Sequence, residues 1–368
     1  MKKYLFITLS LILGLLSFNS CKEDIVLTGE RKETAIIYCL LDQSEDIHFV
    51  KINRSFIGPG NALDFAQIPD SNYFEHVDAY VYECLGNDTL RTWILKDTSI
   101  ENKSTSGVFY APTEKLYYFS TSSQASLNEN ATFKLNVIIN KDLTNEFTVS
   151  GQTKLVTGIA SAQAQPGTAL SFMTQNNQYS TAYLRTTSNG TGNAYILNAA
   201  LNIKMYEYYG ATLHDSVEIH WNSSEKEVEN NTIFSSPLQG ITFYELIRDN
   251  VTNDPLIDKR QIQEITIKLT GGSEVLKEYI NSNKPSNSLA QTKPSYTNLS
   301  ITNNKNVVGI FSARSTVTVV KKIYNTSTST FRAIDNNSTK ELCTGPITGP
   351  LFFCSQHNLD ALQTYYCP

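Results

Sequence analysis

Apolar and polar residues alternate with a period of two along much of the chain. The clearest example is Thr132 to Asn140 (TFKLNVIIN), in which Phe133, Leu135, Val137 and Ile139 fall on one side of the alternation and mainly polar residues on the other. Successive side chains of a strand point to opposite faces of a sheet. The pattern therefore predicts a strand with one buried face.

Short runs of the same kind surround this strand. They cover residues 34–41, 47–53, 76–85, 90–95 and 146–156. Gly86, Asn87 and Asp88 lie between two of them and predict a hairpin turn, because Gly and Asn tolerate positive φ. Six to eight short strands with turn signals predict an immunoglobulin-like antiparallel β-sandwich over residues 34–157.

A long insertion, Ser55 to Tyr73, interrupts the first strand series. Loops of this length in compact domains are usually functional or mobile. Two interpretations remain open: a cap over the end of the sandwich, or a contact for a ligand or partner.

A small, polar, proline-containing stretch at residues 158–167 predicts a linker. Residues 168–340 then return to β-like runs at 193–208, 217–221, 262–269 and 307–324. Helical periodicity occurs at Gln239 to Val251 and at Ser273 to Asn283, where Ser273 is a good N-cap. A Cys-containing tail follows at 341–368. The predicted fold class is mainly β, with an Ig-like sandwich followed by a second antiparallel β-domain carrying two short helices.

The first twenty residues have the pattern of a bacterial signal peptide. Lys2 and Lys3 precede an apolar stretch, Leu5 to Leu16, that is short for a membrane-spanning helix. Ser20 stands directly before Cys21, which resembles the lipobox of bacterial lipoproteins, although Phe18 and Asn19 depart from the strict pattern. We therefore expect residues 1–20 to be removed, and Cys21 to carry the lipids that anchor the chain to a membrane. The alternative is a cleaved secretory peptide beside an incidental cysteine.

Residues 21–33 form the expected tether between the lipid and the first strand. Lys22, Glu23 and Asp24 resemble the surface-export signal of lipoproteins in the Bacteroidota. This resemblance implies an outer-membrane, lipid-anchored protein at the cell surface.

Composition narrows the choice of partners. The chain has 368 residues, 18% of them charged, and a net charge of −5. A nucleic-acid-binding protein usually carries a basic face, so we expect no nucleic-acid partner. The 20 Tyr and 17 Phe against two Trp and three Met are typical of antiparallel sheets.

Five cysteines remain once Cys21 is set aside, and three of them, Cys343, Cys354 and Cys367, lie in the C-terminal stretch. An exported protein can form disulfides. These three predict a local bridge, but sequence alone leaves its pairing open.

The best candidate for chemistry is the run His214 to Trp221 (HDSVEIHW). On a strand, His214, Glu218 and His220 would share a face and offer nitrogen and oxygen ligands to one metal ion. The competing interpretation is a solvated polar face. No catalytic or phosphate-binding motif occurs in a strand-to-helix context, so we predict no enzymatic activity and no cofactor.

Two further positions resemble a known modification signal. Asp88-Thr89-Leu90 and Asp215-Ser216-Val217 match the Asp-Ser/Thr-apolar pattern of Bacteroidota O-glycosylation. This resemblance implies that Thr89 and Ser216 are modified in exposed segments.

Three segments carry a wider resemblance: Ile37 to Ser55, Tyr296 to Leu299, and Gly309 to Arg314. They look like a family of Bacteroidota outer-membrane lipoproteins of unknown function that combine an Ig-like N-terminal domain with a β-rich C-terminal one. Such proteins are encoded near outer-membrane receptors of the TonB-dependent kind, which implies a transporter barrel as partner. The resemblance implies a binding or accessory protein.

Three alternatives stay open. A fimbrial-type structural subunit would be processed at the basic pair Arg31 and Lys32. A hydrolase would need a site without a recognisable motif. A glycan-binding protein would use exposed aromatic side chains, for which the candidates are Trp93, Trp221, Tyr206, Tyr208 and Tyr209.

Overall fold

Most of the described chain is β-strand, which confirms the predicted mainly β fold class. The structure is a computed structural model, and it describes residues 34–55, 68–101, 113–165, 167–223, 225–252, 254–284, 296–322 and 332–368. The predicted signal peptide 1–20, the predicted tether 21–33 and residues 56–67 of the insertion lie outside the described residues.

The strands and helices are numbered in chain order. The strands are β1 (Thr34–Asp42), β2 (Ile47–Arg54), β3 (Val77–Leu85), β4 (Asp88–Ile94), β5 (Lys96–Ile100), β6 (Glu114–Ser120), β7 (Thr132–Ile139), β8 (Phe147–Lys154), β9 (Ile159–Ser161), β10 (Thr181–Thr191), β11 (Ile196–Tyr209), β12 (Thr212–Asn222), β13 (Lys226–Glu227), β14 (Ser235–Gln239), β15 (Lys259–Gly272), β16 (Ser300–Ile301) and β17 (Asn306–Lys322). The α-helices are α1 (Pro69–Asn72), α2 (Gly240–Asn250), α3 (Glu274–Asn283) and α4 (Asn336–Thr344).

The described strands form three sheets. A nine-stranded sheet has the order β12-β11-β15-β17-β1-β2-β6-β5, with β13 beside β11. A five-stranded sheet has the order β16-β8-β7-β3-β4, and a three-stranded sheet has the order β14-β10-β9. Neighbouring strands run antiparallel except β1 and β17, which are parallel from the pair Thr34 and Asn306 to the pair Asp42 and Arg314.

Strand β7 shows why the alternation predicts this architecture. Phe133, Leu135, Val137 and Ile139 are all buried, whereas Lys134 between them is exposed. The buried faces of the sheets belong to one apolar core. The predicted hairpin at Gly86 is confirmed, since β3 and β4 pair across it and Gly86 has a positive φ of 63°.

The nine-stranded sheet joins the two predicted domains, so residues 158–167 do not separate two sets of sheets. Strands β1, β2, β5 and β6 come from the first predicted domain, and β11, β12, β15 and β17 from the second. The physical reason is the length of β17: residues 306–314 pair with β1, and residues 314–322 pair with β15. Within the predicted linker, Ile159–Ser161 is itself a strand. The residues from Thr34 to Pro368 group as one compact unit.

Both predicted helices are present, as α2 and α3, and the Ser273 side chain caps α3 by accepting a hydrogen bond from the Leu276 amide. Helix α4 was not predicted from the sequence, because its residues are mostly polar and show no apolar stripe. Its Asp335 cap and its buried Leu342 and Cys343 attach the tail to the core. No described helix is long and apolar enough to cross a membrane.

Candidate functional site

The outer face of the five-stranded sheet holds an open groove of about 420 Å³. It runs across β3, β7 and β8, and Asn298 and Ser300 close one end. Because side chains alternate along each strand, every second residue of these strands reaches this face.

Two tyrosines lie on β3 at one side of the groove: Tyr82 lines the groove, and Tyr80 lies beside Tyr82 on the same face. Tyr80 and Tyr82 are two residues apart on β3, and both are half-buried. Their ring centroids are 6.2 Å apart and their planes differ by 20°. Ala79 and Val81 beside them are buried in the core, so the phenol rings are held on the outer face.

Polar side chains continue the face on the neighbouring strands. One cross-strand row runs from Tyr82 through Lys134 to Gln152, since Tyr82 pairs with Lys134 and Lys134 pairs with Gln152. A second row runs from Tyr80 through Asn136 and Ser150 to Ser300. Directly opposed residues of an antiparallel pair lie close enough for their side chains to act on one ligand.

Five polar side chains of this surface form no hydrogen bond or ion pair within the part of the chain that the structure describes. The polar side chains concerned are Lys134, Asn136, Ser150, Gln152 and Ser300. Asn298 is different, because its amide donates to the carbonyl oxygens of Gln152 at 3.1 Å and Phe311 at 2.8 Å and accepts from the Phe311 amide. Asn298 therefore fixes the end of the groove, and the other groups can meet a ligand.

The floor of the groove is set by close packing. Leu135 and Gly151 line it, and a Cβ at Gly151 would lie 2.6 Å from Leu299 Cδ2 and 3.2 Å from Phe311 Cβ. Gly151 thus allows β8 to approach Leu299 and β17 closely. A larger residue there would push the floor outward.

An ion pair between buried Glu83 and partly exposed Arg91 joins β3 to β4 near the tyrosines. Arg91 on β4 donates to the Glu83 carboxylate, and the Asn128 amide donates to the same carboxylate at 2.7 Å. Burial opposes ionisation of Glu83, but these hydrogen bonds and the charge of Arg91 outweigh it, so the pKa of Glu83 is lowered. Glu83 therefore stays ionised at neutral pH, and its pair with Arg91 joins β3 to β4 next to a register shift between Glu83 and Cys84.

The arrangement can stack on rings and exchange hydrogen bonds, which is a binding chemistry. This surface was not predicted from the sequence. The signal was present in HVDAYVYECL, where Tyr80 and Tyr82 occupy the polar positions of an alternating strand. Which polar strands would flank them could not be read from that run.

The predicted metal ligands do not come together. Glu218 and His220 lie on the exposed face of β12, but the register with β11 shifts beside His214. The His214 ring stacks on Tyr209 with centroids 4.0 Å apart, and its Nε2 lies 3.0 Å from the Tyr209 hydroxyl. Among the described residues, no three His, Cys, Asp or Glu side chains converge as a metal site. The competing interpretation, a solvated polar face, describes what the structure contains.

Thr89 and Ser216 both lie on exposed strand positions. Thr89 is the second residue of β4, next to the Gly86 turn, with its hydroxyl 3.8 Å from Cys84 Sγ. Ser216 is on β12 opposite Tyr206. Their glycosylation stays a prediction.

Cys354 and Cys367 are joined by a disulfide, and Cys343 is a free, buried thiol. Gln261 on β15 donates to Cys367 Sγ at 3.0 Å, which places the bridge against the nine-stranded sheet. The predicted lipidation and export residues, Cys21, Lys22, Glu23 and Asp24, and the basic pair Arg31 and Lys32 lie outside the described residues.

The five aromatic residues named as a sugar platform do not form one surface. Trp93 is buried against Phe119, with centroids 4.9 Å apart, and Trp221 packs against the core. Tyr206 and Tyr208 share the outer face of β11 at 6.5 Å. Each of these two rings also has a lysine ammonium near its face, from Lys204 and Lys259 respectively.

Comparison with known proteins finds no matching family model. No curated protein matches the chain either.

Proposed function

We propose that this chain is a lipid-anchored protein of the outer membrane, displayed at the cell surface, that binds a ligand for a transporter barrel of the TonB-dependent-receptor kind. The observation that carries the proposal is the order of segments at the N-terminus. A signal-like stretch ends at Ser20, Cys21 follows with Lys22, Glu23 and Asp24, and the first strand begins at Thr34.

The short spacing between Cys21 and Thr34 supports a role close to the membrane. Residues 22–33 span at most ~40 Å even when fully extended. A β unit tethered so closely stays within reach of a membrane-embedded partner. A ligand held on its surface would be delivered at high effective concentration.

The groove on the five-stranded sheet supports binding as the activity. It is lined by Tyr82, whose ring lies beside that of Tyr80, and by several polar side chains without a hydrogen-bond partner among the described residues. Sites built on strands are held more accurately than sites on loops. The proposal therefore assigns ligand capture to this face and assigns no chemical step to the chain.

The fimbrial alternative receives less support. Subunits that polymerise by donating a strand need a place in a sheet where a partner's strand can be added. Strand β1 is paired on one side with β17 and on the other with β2, and a cut after Arg31 would leave it whole. No vacant position is present beside β1 in the described sheet.

The test is a pull-down of the tagged lipoprotein from gently solubilised membranes of its native host. Cys21→Ala, which removes the lipid-bearing sulfur, is the matched control. We expect the unaltered chain to fractionate with the outer membrane, to be cleaved by protease added to intact cells, and to co-purify with one barrel protein. Recovery of Cys21→Ala in the same membrane fraction would overturn the lipid anchor. Self-associated chains alone, beginning after Arg31, would overturn the accessory role.

A further inference from the structure

We propose that the groove on the outer face of the five-stranded sheet binds an oligosaccharide that carries uronic acid units. This inference deepens the proposed function, on which it rests, by naming the class of ligand. Tyr80, Tyr82, Lys134, Asn136 and Gln152 are the residues that make the contacts.

The tyrosine pair favours a ligand that contains rings with apolar faces. Tyr80 and Tyr82 present two nearly parallel rings on one exposed face. The C–H faces of a sugar ring are apolar and pack against aromatic rings, whereas its hydroxyls remain free for polar partners. Two rings two residues apart can contact consecutive units of a chain.

The mixture of hydrogen-bond donors and acceptors in the groove favours a ligand that carries many hydroxyl groups. Asn136 and Gln152 each offer a carbonyl acceptor and an NH₂ donor, and Ser150 and Ser300 offer hydroxyls that donate and accept. A sugar hydroxyl also donates and accepts at once. The two cross-strand rows bring these groups to the same face as the tyrosines.

The charge of the site selects the acidic class of sugar. Lys134 is the one charged side chain among the described residues that line the groove, and it is exposed. On the same face, Lys154 lies further along β8, and Asp78 lies beyond Tyr80 at the other end of β3. An ammonium beside uncommitted amides complements a carboxylate on a sugar ring.

A peptide strand fits this face poorly. Strands β3 and β7 are each paired on both sides, so their main-chain groups are bonded within the sheet, and beside β8 the short strand β16 and the Asn298 side chain occupy part of the outer edge. A peptide that adds to a sheet does so at an open edge. A ligand lying across the face of the sheet must be recognised through side chains.

The experiment is titration calorimetry on the full lipoprotein in detergent. The acidic probes are hexagalacturonate and a chondroitin hexasaccharide, and the neutral probe is maltohexaose. We expect at least one acidic probe to bind about tenfold more tightly than maltohexaose. Binding of neither acidic probe, or equal binding of maltohexaose, would overturn the proposal.

Single substitutions test whether the sugar binds in the groove. Tyr82→Ala and Lys134→Gln should each weaken acidic binding about tenfold, and Lys134→Gln should also remove the preference over the neutral probe. Tyr206→Ala is the matched control, because Tyr206 is a half-buried strand tyrosine on the outer face of the other sheet. If Tyr206→Ala weakened binding of the acidic probe as much as Tyr82→Ala does, the assignment of the site to the groove would be overturned. Thermal unfolding of each variant checks that the sheet is intact.

The calorimetry and the pull-down test different parts of the proposal, so either part can be contradicted without the other. A chain that co-purifies with a barrel but binds none of the sugars keeps the accessory role and loses the ligand class. A chain that binds the acidic probe but never reaches the membrane keeps the groove and loses the proposed function.

Discussion

Glu207 and Arg260 form an ion pair inside the nine-stranded sheet, with Glu207 Oε1 2.7 Å from Arg260 Nε. Both side chains are almost fully buried. The guanidinium also donates to the carbonyl oxygens of Leu351 and Thr252, and the Thr252 hydroxyl donates to Glu207. The pair thus connects β11 and β15 to the C-terminal tail.

We expect Arg260→Met to lower the free energy of unfolding by ~3–5 kcal/mol, because it leaves the Glu207 carboxylate buried without its partner. The double variant Glu207→Leu, Arg260→Met should lose less than the single one, since no charge is then stranded. Urea denaturation measures both. A double variant that loses at least as much as Arg260→Met would show that the tail contacts, and not the unpaired charge, dominate.

His48 gives the sheet a sensitivity to acid. It is 2% exposed, its ring stacks on Phe119 with centroids 4.7 Å apart, and neither ring nitrogen has a hydrogen-bond partner among the described residues. Burial lowers the pKa of His48, although the charges of Asp42 and Asp46 oppose the shift. The folded state therefore binds this proton less readily than the unfolded state.

The contribution of His48 to stability is complete above its unfolded pKa of ~6.5 and is lost as the pH falls from there towards the lowered folded value. We expect the free energy of unfolding to fall by at most ~1.4 kcal/mol per pH unit from this residue. His48→Phe, which keeps an aromatic ring on Phe119, should flatten the profile between pH 6.5 and pH 5. Identical profiles for the two proteins would mean that His48 does not titrate differently on folding.

Gly309 controls the parallel contact between β1 and β17. Its φ is +111°, and a Cβ there would lie 1.8 Å from the Ile37 carbonyl oxygen. We expect Gly309→Ala to cost at least ~3 kcal/mol, because a clash adds to backbone strain of ~1–3 kcal/mol. Gly86→Ala is the control, with φ +63° but no atom within 4 Å of the added Cβ. Equal losses in chemical denaturation would show that strain alone matters.

The cysteines should separate into two chemical classes. Burial raises the pKa of Cys39 to about 12, and burial with the nearby Asp360 charge does the same for Cys343. The free thiols of the described residues, Cys39, Cys84 and Cys343, are all buried, so iodoacetamide at pH 8 should leave them unmodified in the folded protein and alkylate all three in denaturant. Peptide mass spectrometry reads the sites.

Reduction before alkylation should add Cys354 and Cys367 to the modified set. Modification of either one without a reductant would contradict the bridge. Rapid labelling of Cys343 in the folded protein would contradict its buried position.

Local patterns in the sequence predicted many of the strands, although not β6 or β10, and they predicted few of the strand partners. The alternation of β7 predicted its buried residues, and the periodicity near Ser273 predicted α3, because both signals depend only on neighbouring residues. The pairing of Thr34 with Asn306 joins residues far apart in sequence and leaves no local trace. The domain boundary was placed from composition alone for the same reason.

The groove could not be predicted from the sequence, because it also depends on which strands are neighbours in the sheet. An outward tyrosine such as Tyr82 has the same sequence pattern as any half-exposed strand aromatic. It becomes part of a groove only when β7 and β8 bring Lys134 and Gln152 beside it. The register shift beside His214, which the alternation did not reveal, is a second feature that depends on the partner strand and leaves no local signal in the sequence.

The position of β1 also decides how the molecule responds to mechanical load. A pull on Thr34 along the strand axis would slide β1 against β17 and β2 at the same time. The ladder hydrogen bonds on both sides would then share the load and break together, whereas a peeled edge strand loses them one after another. A chain held by its N-terminus in flowing medium would thus be loaded through a strand that is paired on both sides.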